Sequence, residues 1–247
     1  MIYVVTHKNV SLNLNNDYVL IGVGNNSIDN EDIHDNTMEN ISSKNESYCE
    51  LTALYWIINN CNDDIIGLTH YRRIFTEEDD TSIKLIGMSE VRKILNDYDI
   101  ILPPLHNCGN ESVYSHYSNA HYKKDMNMTR KVIEEIYPEY IETFDEVMNS
   151  SFEYGFNMFI SKRKTIKEYT NWLFNILFEL ENRIDINEYD NYQKRVFGFI
   201  SERIFNVWLR YNNLKIKELV ILDPNKNEEI NHQKKFIKSN EIKNRYN

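Results

Sequence analysis

The chain has 247 residues, 41% of them hydrophobic and 27% charged, enough to bury one large core. Its net charge of −10 argues against nucleic acid as a bulk partner. Cys49, Cys61 and Cys108 form neither a disulfide framework nor a metal-ligand spacing, which fits a reducing, cytoplasmic setting.

Glycine and proline are scarce, 7 and 4 residues, so elements should be long and loops few. Nothing reads as a linker, and residues 1–230 are expected to form a single domain. Ile2–Thr6 is β-branched and aromatic, a first strand that ends in Thr6, His7 and Lys8. A strand starting this early leaves no signal peptide visible, and no apolar run approaches membrane-spanning length. Tyr18–Val23 is a second strand, and the polar stretch 26–40 a loop. Ser43 and Glu46 have capping-box spacing. Leu51, Leu54, Tyr55 and Ile58 recur at helical spacing, so Asn45–Asn60 is predicted as one core helix whose amino end could hold an anion.

Asp64–Phe75 follows: an apolar run, Ile65–Leu68, that ends in His70, Tyr71, Arg72 and Arg73. Guanidinium is costly to bury unpaired, and in open α/β sheets ligands sit at the carboxyl ends of strands. Paired arginines there suit a phosphate or carboxylate, held bidentately. An internal salt-bridge cluster is the plainer alternative. If the chain stays extended, His70 and Arg72 share one face, Tyr71 and Arg73 the other.

Ser89–Asn96 is a short helix and Asp99–Leu102 a buried strand stopped by Pro103-Pro104. Asp97 and Asp99 mark the entry to that strand rather than a metal site. On a helix, Tyr117, His121 and Asp125 fall on one face, either a sugar-binding surface or an exposed polar one. Lys131–Asn149 reads as helix broken near Pro138. Phe156–Ser161 reads as a strand carrying Asn157, an amide that needs a partner, with a ligand as one candidate. Leu173, Ile176, Leu177, Leu180 and Ile184 form a core helical stripe. In the helix Lys194–Tyr211, Arg195, Gly198 and Glu202 lie off the apolar stripe. A helical glycine costs roughly 1 kcal/mol against alanine, so Gly198 makes room either for a ligand or for ordinary helix packing. Lys215–Leu222 is a last strand. The segment from Asn231 carries five basic residues and one acid, +4 against −14 for the remainder.

Several blocks in this order resemble a bacterial family of capsular and exopolysaccharide synthesis proteins, long described only as a domain of unknown function. They are Asn40-Ile41-Ser42, Lys44-Asn45, Glu50-Leu51-Thr52-Ala53 with Tyr55-Trp56, Gly67 to Arg73, Asp99 to Pro103, Asn157-Met158, Trp172-Leu173-Phe174 and Gly198 to Arg203, with Tyr117, His121 and Asp125. Met38 stands where the family pattern usually has glycine, and Thr69 replaces a frequent cysteine. Members of the family have been assigned as galactofuranosyltransferases. The resemblance implies an α/β fold of the GT-A-like (Rossmann-like) kind: a mostly parallel central sheet flanked by helices, with a helical C-terminal part. It implies inverting transfer from UDP-galactofuranose to a lipid-linked glycan, in capsule, exopolysaccharide or O-antigen synthesis.

In such folds an acidic strand-end motif usually holds a metal. Here basic residues stand in that place, so His70, Arg72 and Arg73 would neutralise the leaving UDP. No cofactor is then expected, the UDP-sugar being a substrate, although a divalent metal is left open. Thr6, His7 and Asn157 would join the donor site. Tyr117, His121 and Arg195 would face sugar or acceptor. Glu202 is the expected general base, with Asp125 second. The basic tail would meet an anionic membrane surface at its inner face. A non-catalytic glycan-binding or scaffold protein is the competing class, and it has no need of diphosphate-binding arginines. A glycosidase would instead need a carboxylate pair at defined separation.

Overall fold

Alternation along the first strand already requires two buried layers, because Ile2 and Val4 point one way and Tyr3 and Val5 the other, all of them buried. The computed structural model describes residues 1–24, 28–78 and 83–224. The tail from 231 to 247 lies outside them.

In chain order the strands are β1 (Ile2–Thr6), β2 (Tyr18–Gly22), β3 (Ile33–His34), β4 (Ile65–His70), β5 (Ile74–Glu78) and β6 (Ile83–Leu85). They continue with β7 (Ile100–Leu102), β8 (His106–Asn107), β9 (Phe152–Glu153), β10 (Phe159–Lys162), β11 (Ile216–Glu218) and β12 (Ile221–Leu222). The helices are α1 (Asn45–Tyr48), α2 (Leu51–Asn60), α3 (Met88–Asp97), α4 (Val113–Ala120), α5 (Lys123–Ile136), α6 (Ile141–Asn149), α7 (Arg163–Glu181) and α8 (Val196–Tyr211).

The central sheet has seven strands in the order β11-β7-β10-β4-β1-β2-β3. All neighbours are parallel except β10, which runs antiparallel to both β4 and β7. This is the expected mostly parallel α/β architecture. One face packs under α2 and α4–α8, with Tyr3, Val5, Ile66, Leu68, Ile100, Leu102 and Phe159 turned into that core. The opposite face turns Ile2, Val4, Ile101 and Ile160 toward α3 and β5. Gly67 lies where they crowd together. A Cβ there would stand 3.0 Å from Ile2 and 3.1 Å from Ile160.

Several expectations need correcting. Asn45–Asn60 is not one helix. Cys49, at φ 53° and ψ −131°, breaks it into α1 and α2, a conformation that only glycine adopts freely. Ser43 lies inside a 3-10 turn, Ser42–Lys44, and neither it nor the N-cap residue Lys44 makes a side-chain cap. Tyr117, His121 and Asp125 do not share one helix, because His121 ends α4 in extended conformation and α5 starts at Lys123. Asn157 is not within a strand. Phe156 and Asn157 take φ 75° and 47°, a left-handed turn that precedes β10. Lys215–Leu222 divides between two sheets as β11 and β12. After His70 the chain is not extended. His70 and Arg73 exchange both backbone hydrogen bonds (2.8 and 3.1 Å), so Tyr71 and Arg72 form a tight turn into β5. Met38 takes φ 51°, the backbone shape that a glycine supplies without strain. Asp99 Oδ2 accepts the Lys215 N–H (2.8 Å), a role in strand entry. No helix among the described residues is long and apolar enough to cross a membrane.

Candidate functional site

β1 and β4 are parallel neighbours at the centre of the sheet, and β2 lies beside β1. Their carboxyl ends therefore open on one edge, where a cleft of about 430 Å³ lies. It is lined by Thr6 and His7 from the end of β1 and by His70, Tyr71, Arg72 and Arg73 from the end of β4. Asn45, Cys49 and Glu50 line it from the α1–α2 junction, Phe156 from the turn before β10, and Arg195 and Glu202 from the start of α8. Seven residues expected from the sequence thus meet in one place: Thr6, His7, His70, Arg72, Arg73, Arg195 and Glu202.

The turn holds its cations on aromatic rings. The Arg72 guanidinium, on an exposed side chain, lies 5.3 Å from the Tyr71 ring centroid, and the Arg73 guanidinium 4.1 Å from that of Phe156. Tyr71 is buried, and His7 meets it edge-on at 5.6 Å. His70 Nε2 is 2.7 Å from the Phe156 carbonyl. Burial pushes the His70 imidazole down to about 4, against the carbonyl's opposing effect. It is therefore neutral at pH 7 and donates through Nε2 to that carbonyl. The positive charge of this edge comes from the arginines.

Opposite them stand two carboxylates. Glu202 is pushed up to about 7, mainly by burial, with the nearby Glu50 and Glu153 charges adding and Arg203 opposing. Its Oε2 accepts from Arg203 Nη1 at 2.8 Å. Glu50 is also raised by burial, partly offset by a hydrogen bond from Asn157 Nδ2 (2.5 Å) and one from its own backbone N–H. Glu50 stands at the N-cap of α2, yet its carboxylate accepts no cap hydrogen bond from that helix. Because burial disfavours the charged form of both acids, they do not fully cancel the arginines.

Gly198 does not leave space for a ligand. A Cβ there would stand 3.1 Å from Cys49 Sγ, so the glycine admits the strained α1–α2 junction. Arg195 Nε donates to the same sulfur at 3.3 Å. Nor is Glu202 on a polar helix face. Every other residue from Val196 to Leu209 is buried, and Glu202 is itself largely buried, its side chain 25% exposed where it reaches the cleft.

The other sequence candidates lie outside the cleft lining. Asn157 is buried, its Nδ2 bound to Glu50, Ser201 Oγ (2.9 Å) and the Gly198 carbonyl (3.3 Å). Asp125 is buried and accepts from the Tyr189 hydroxyl at 2.8 Å. Tyr117 is fully buried, and His121 stacks on Phe199 at 4.0 Å. Cys49, Glu50, Tyr71 and Phe156 were not expected in the site. Tyr71 could have been found, since it stands inside the His-Tyr-Arg-Arg block. The position of Cys49 depends on a backbone turn that no glycine or proline announces, and that of Phe156 on a turn signalled only by the preceding Gly155.

One solved structure similar to the chain is an apo structure of the bifunctional glycosyltransferase WbbM, with a TM-score of 0.78 and 29% identity over 89% of this chain. The alignment covers 44% of the WbbM chain, so the present chain corresponds to less than half of that protein. No curated protein sequence matches the chain. Residues 1–213 match the model of the family described as Domain of unknown function (DUF4422). With its carboxyl-edge cleft and this match along most of its length, the chain belongs to the DUF4422 family.

Proposed function

We propose that the chain is a glycosyltransferase that moves a sugar from a UDP-sugar, most simply UDP-galactofuranose, onto a lipid-linked glycan with inversion. The observation that carries this reading is the cleft at the β1 and β4 carboxyl ends, which Arg72, Arg73 and Arg195 line together with Glu202. The likeness to WbbM supports the same reaction class.

In this reading Arg72, Arg73 and Arg195 take the diphosphate, and Thr6 and His7 lie toward the nucleoside. Glu202 accepts the proton of the acceptor hydroxyl as its oxygen bonds the anomeric carbon. The bond from that carbon to the diphosphate breaks, and the arginines meet the charge left on UDP. A base is most effective when its pKa lies near the working pH, which suits Glu202. Asp125 is committed to Tyr189 and has no part in this scheme. His70 acts by positioning, tying the turn after β4 to Phe156. The basic tail would hold the protein at an anionic bilayer, worth about 1 kcal/mol per Lys or Arg near the surface. Removing residues 231–247 should then lower binding to anionic liposomes and spare turnover of a soluble acceptor.

The test is a panel of nucleotide sugars, UDP-galactofuranose included, read by thermal stabilisation and by UDP release with and without acceptor. Stabilisation by one UDP-sugar together with UDP release supports the reading. If no nucleotide sugar stabilises the protein while oligosaccharides do, it is a glycan-binding or scaffold protein.

A further inference from the structure

Behind the cleft, three residues spread over 46 positions of the sequence meet at the entrance to α4. The β8–β9 pair sets His106 opposite Glu153. Cys108 follows β8 and is fixed by its N–H to the Ser151 carbonyl (2.8 Å). Ser112 caps α4, and the first turns of that helix deliver His116. Cys108 Sγ, His116 Nδ1 and a Glu153 carboxylate oxygen all lie within 4.8 Å of one another. His116 Nδ1 is 3.1 Å and Cys108 Sγ 3.9 Å from the same atom, Glu153 Oε1. Tetrahedral zinc with ordinary bond lengths separates nitrogen and oxygen ligands by about 3.3 Å, and sulfur and oxygen ligands by about 3.5 Å. The two distances to Glu153 lie within a few tenths of an ångström of these values, and the Cys108 and His116 donors, within 4.8 Å of each other, would close by up to about an ångström to the roughly 3.6 Å of a sulfur–nitrogen pair on zinc.

A second observation points the same way. Glu153 is only 5% exposed, and its Oε2 makes no hydrogen bond among the described residues. Arg203 Nε stands 3.5 Å from it, while Arg203 Nη1 is committed to Glu202 at 2.8 Å. A buried carboxylate so thinly satisfied is costly, and a cation would offset that cost. Thiolate and imidazole donors suit zinc and disfavour calcium or magnesium.

We propose that Cys108, His116 and Glu153 bind a divalent ion of the zinc class, with water or His106 in the fourth position. His106 is within reach of that role, its ring centroid lying 5.9 Å from that of His116. On binding, the ion replaces the proton on sulfur. None of the three ligands lines the transfer cleft. Arg203 nevertheless joins the two places, because it contacts both Glu153 and Glu202. An ion that neutralises Glu153 leaves Arg203 to hold Glu202.

The experiment uses the full chain, stripped with chelator and titrated with cobalt(II) as the spectroscopic probe, then with zinc. One equivalent of cobalt should bind, with the strong d–d bands of a tetrahedral site and a sulfur-to-cobalt charge-transfer band, and zinc should displace it. Cys108→Ser should abolish the charge-transfer band, and Cys61→Ser should keep it. His116→Ala, at a half-exposed side chain, should weaken binding more than about tenfold. A charge-transfer band that survives in Cys108→Ser, or no saturable binding in the unsubstituted chain, overturns the proposal. Should Cys108→Ser fail to fold, unchanged affinity in His116→Ala overturns it alone. Because the readout is metal binding, it is independent of whether any sugar is transferred.

Discussion

A carboxyl group with a pKa near 7 leaves a mark in two measurements. If Glu202 is the base, kcat/KM rises with pH and levels off above about 7. Glu202→Gln should lower turnover by roughly 10²- to 10⁴-fold and leave donor binding nearly unchanged. The same group affects stability. The folded chain holds the Glu202 proton more tightly than the unfolded chain, so this residue lowers stability progressively as pH rises from 4.5 to about 7. Glu202→Gln removes that penalty and should stabilise the protein by on the order of 2 kcal/mol at pH 8, with little change at pH 4, read from thermal melts at each pH. Arg72 has the opposite profile. It is exposed, so Arg72→Ala should change stability by less than about 0.5 kcal/mol. It should weaken UDP-sugar binding by roughly 10- to 100-fold, the worth of a charge-assisted hydrogen bond, and turnover should need no added magnesium or manganese. The arginines were legible because they are adjacent and end an apolar run. Glu50 was not, since its partner Asn157 is 107 residues away.

At the scale of elements, the α1–α2 junction is where the sequence misleads. Leu51, Leu54 and Ile58 keep helical period from the second residue after the break, so periodicity runs up to it without a signal. Cys49 holds its conformation because its carbonyl accepts from Asn45 Nδ2 (2.8 Å) and Thr52 Oγ1 (3.1 Å), and its sulfur from Arg195. These bonds leave Cys49 little freedom to yield. Gly198→Ala should therefore destabilise by about 1–2 kcal/mol despite alanine's better helix propensity. In a Cys49→Ala background, where the sulfur is gone, the same change should cost markedly less. Urea melts of the four proteins in the double-mutant cycle measure the coupling, and strict additivity would show that Gly198 answers to something else. The turn Phe156-Asn157 was missed for a related reason. Two non-glycine residues take left-handed conformations, and an apolar context reads as strand.

At the scale of the molecule, strand identity was far more legible than strand direction. Ile2–Thr6, Tyr18–Gly22 and Ile65–His70 stand out as β-branched runs, and their parallel pairing follows from the connections between them. Nothing in Phe159–Lys162 reveals that it enters the sheet reversed between β4 and β7. The two-sided core is legible only as unbroken apolar strands, and Gly67 shows what that core demands. A methyl group at 67 would press on Ile2 and Ile160, which are fully buried. Gly67→Ala should cost about 1–3 kcal/mol, seen as a lower urea midpoint with an unchanged m value.

The reversal of β10 also governs where the chain tolerates a change of length. A reversed strand presents its beginning, not its end, at the edge where its neighbours finish. The Phe156-Asn157 turn is therefore pulled in two directions: forward by four register pairs with β4, and sideways by His70 and Glu50. One residue inserted between Asn157 and Phe159 must either draw Asn157 off Glu50 or slip β10 by a position, which would exchange the faces of Phe159 and Ile160. An insertion at Gly155 falls outside both of these anchors but next to a third, because Asn206 holds both the N–H (2.7 Å) and the carbonyl (2.9 Å) of Tyr154. Loop length at this edge is thus constrained on both sides of Phe156, and an added residue at 158, which also breaks the register of β10 with β4, should lower the urea midpoint more than one at 155.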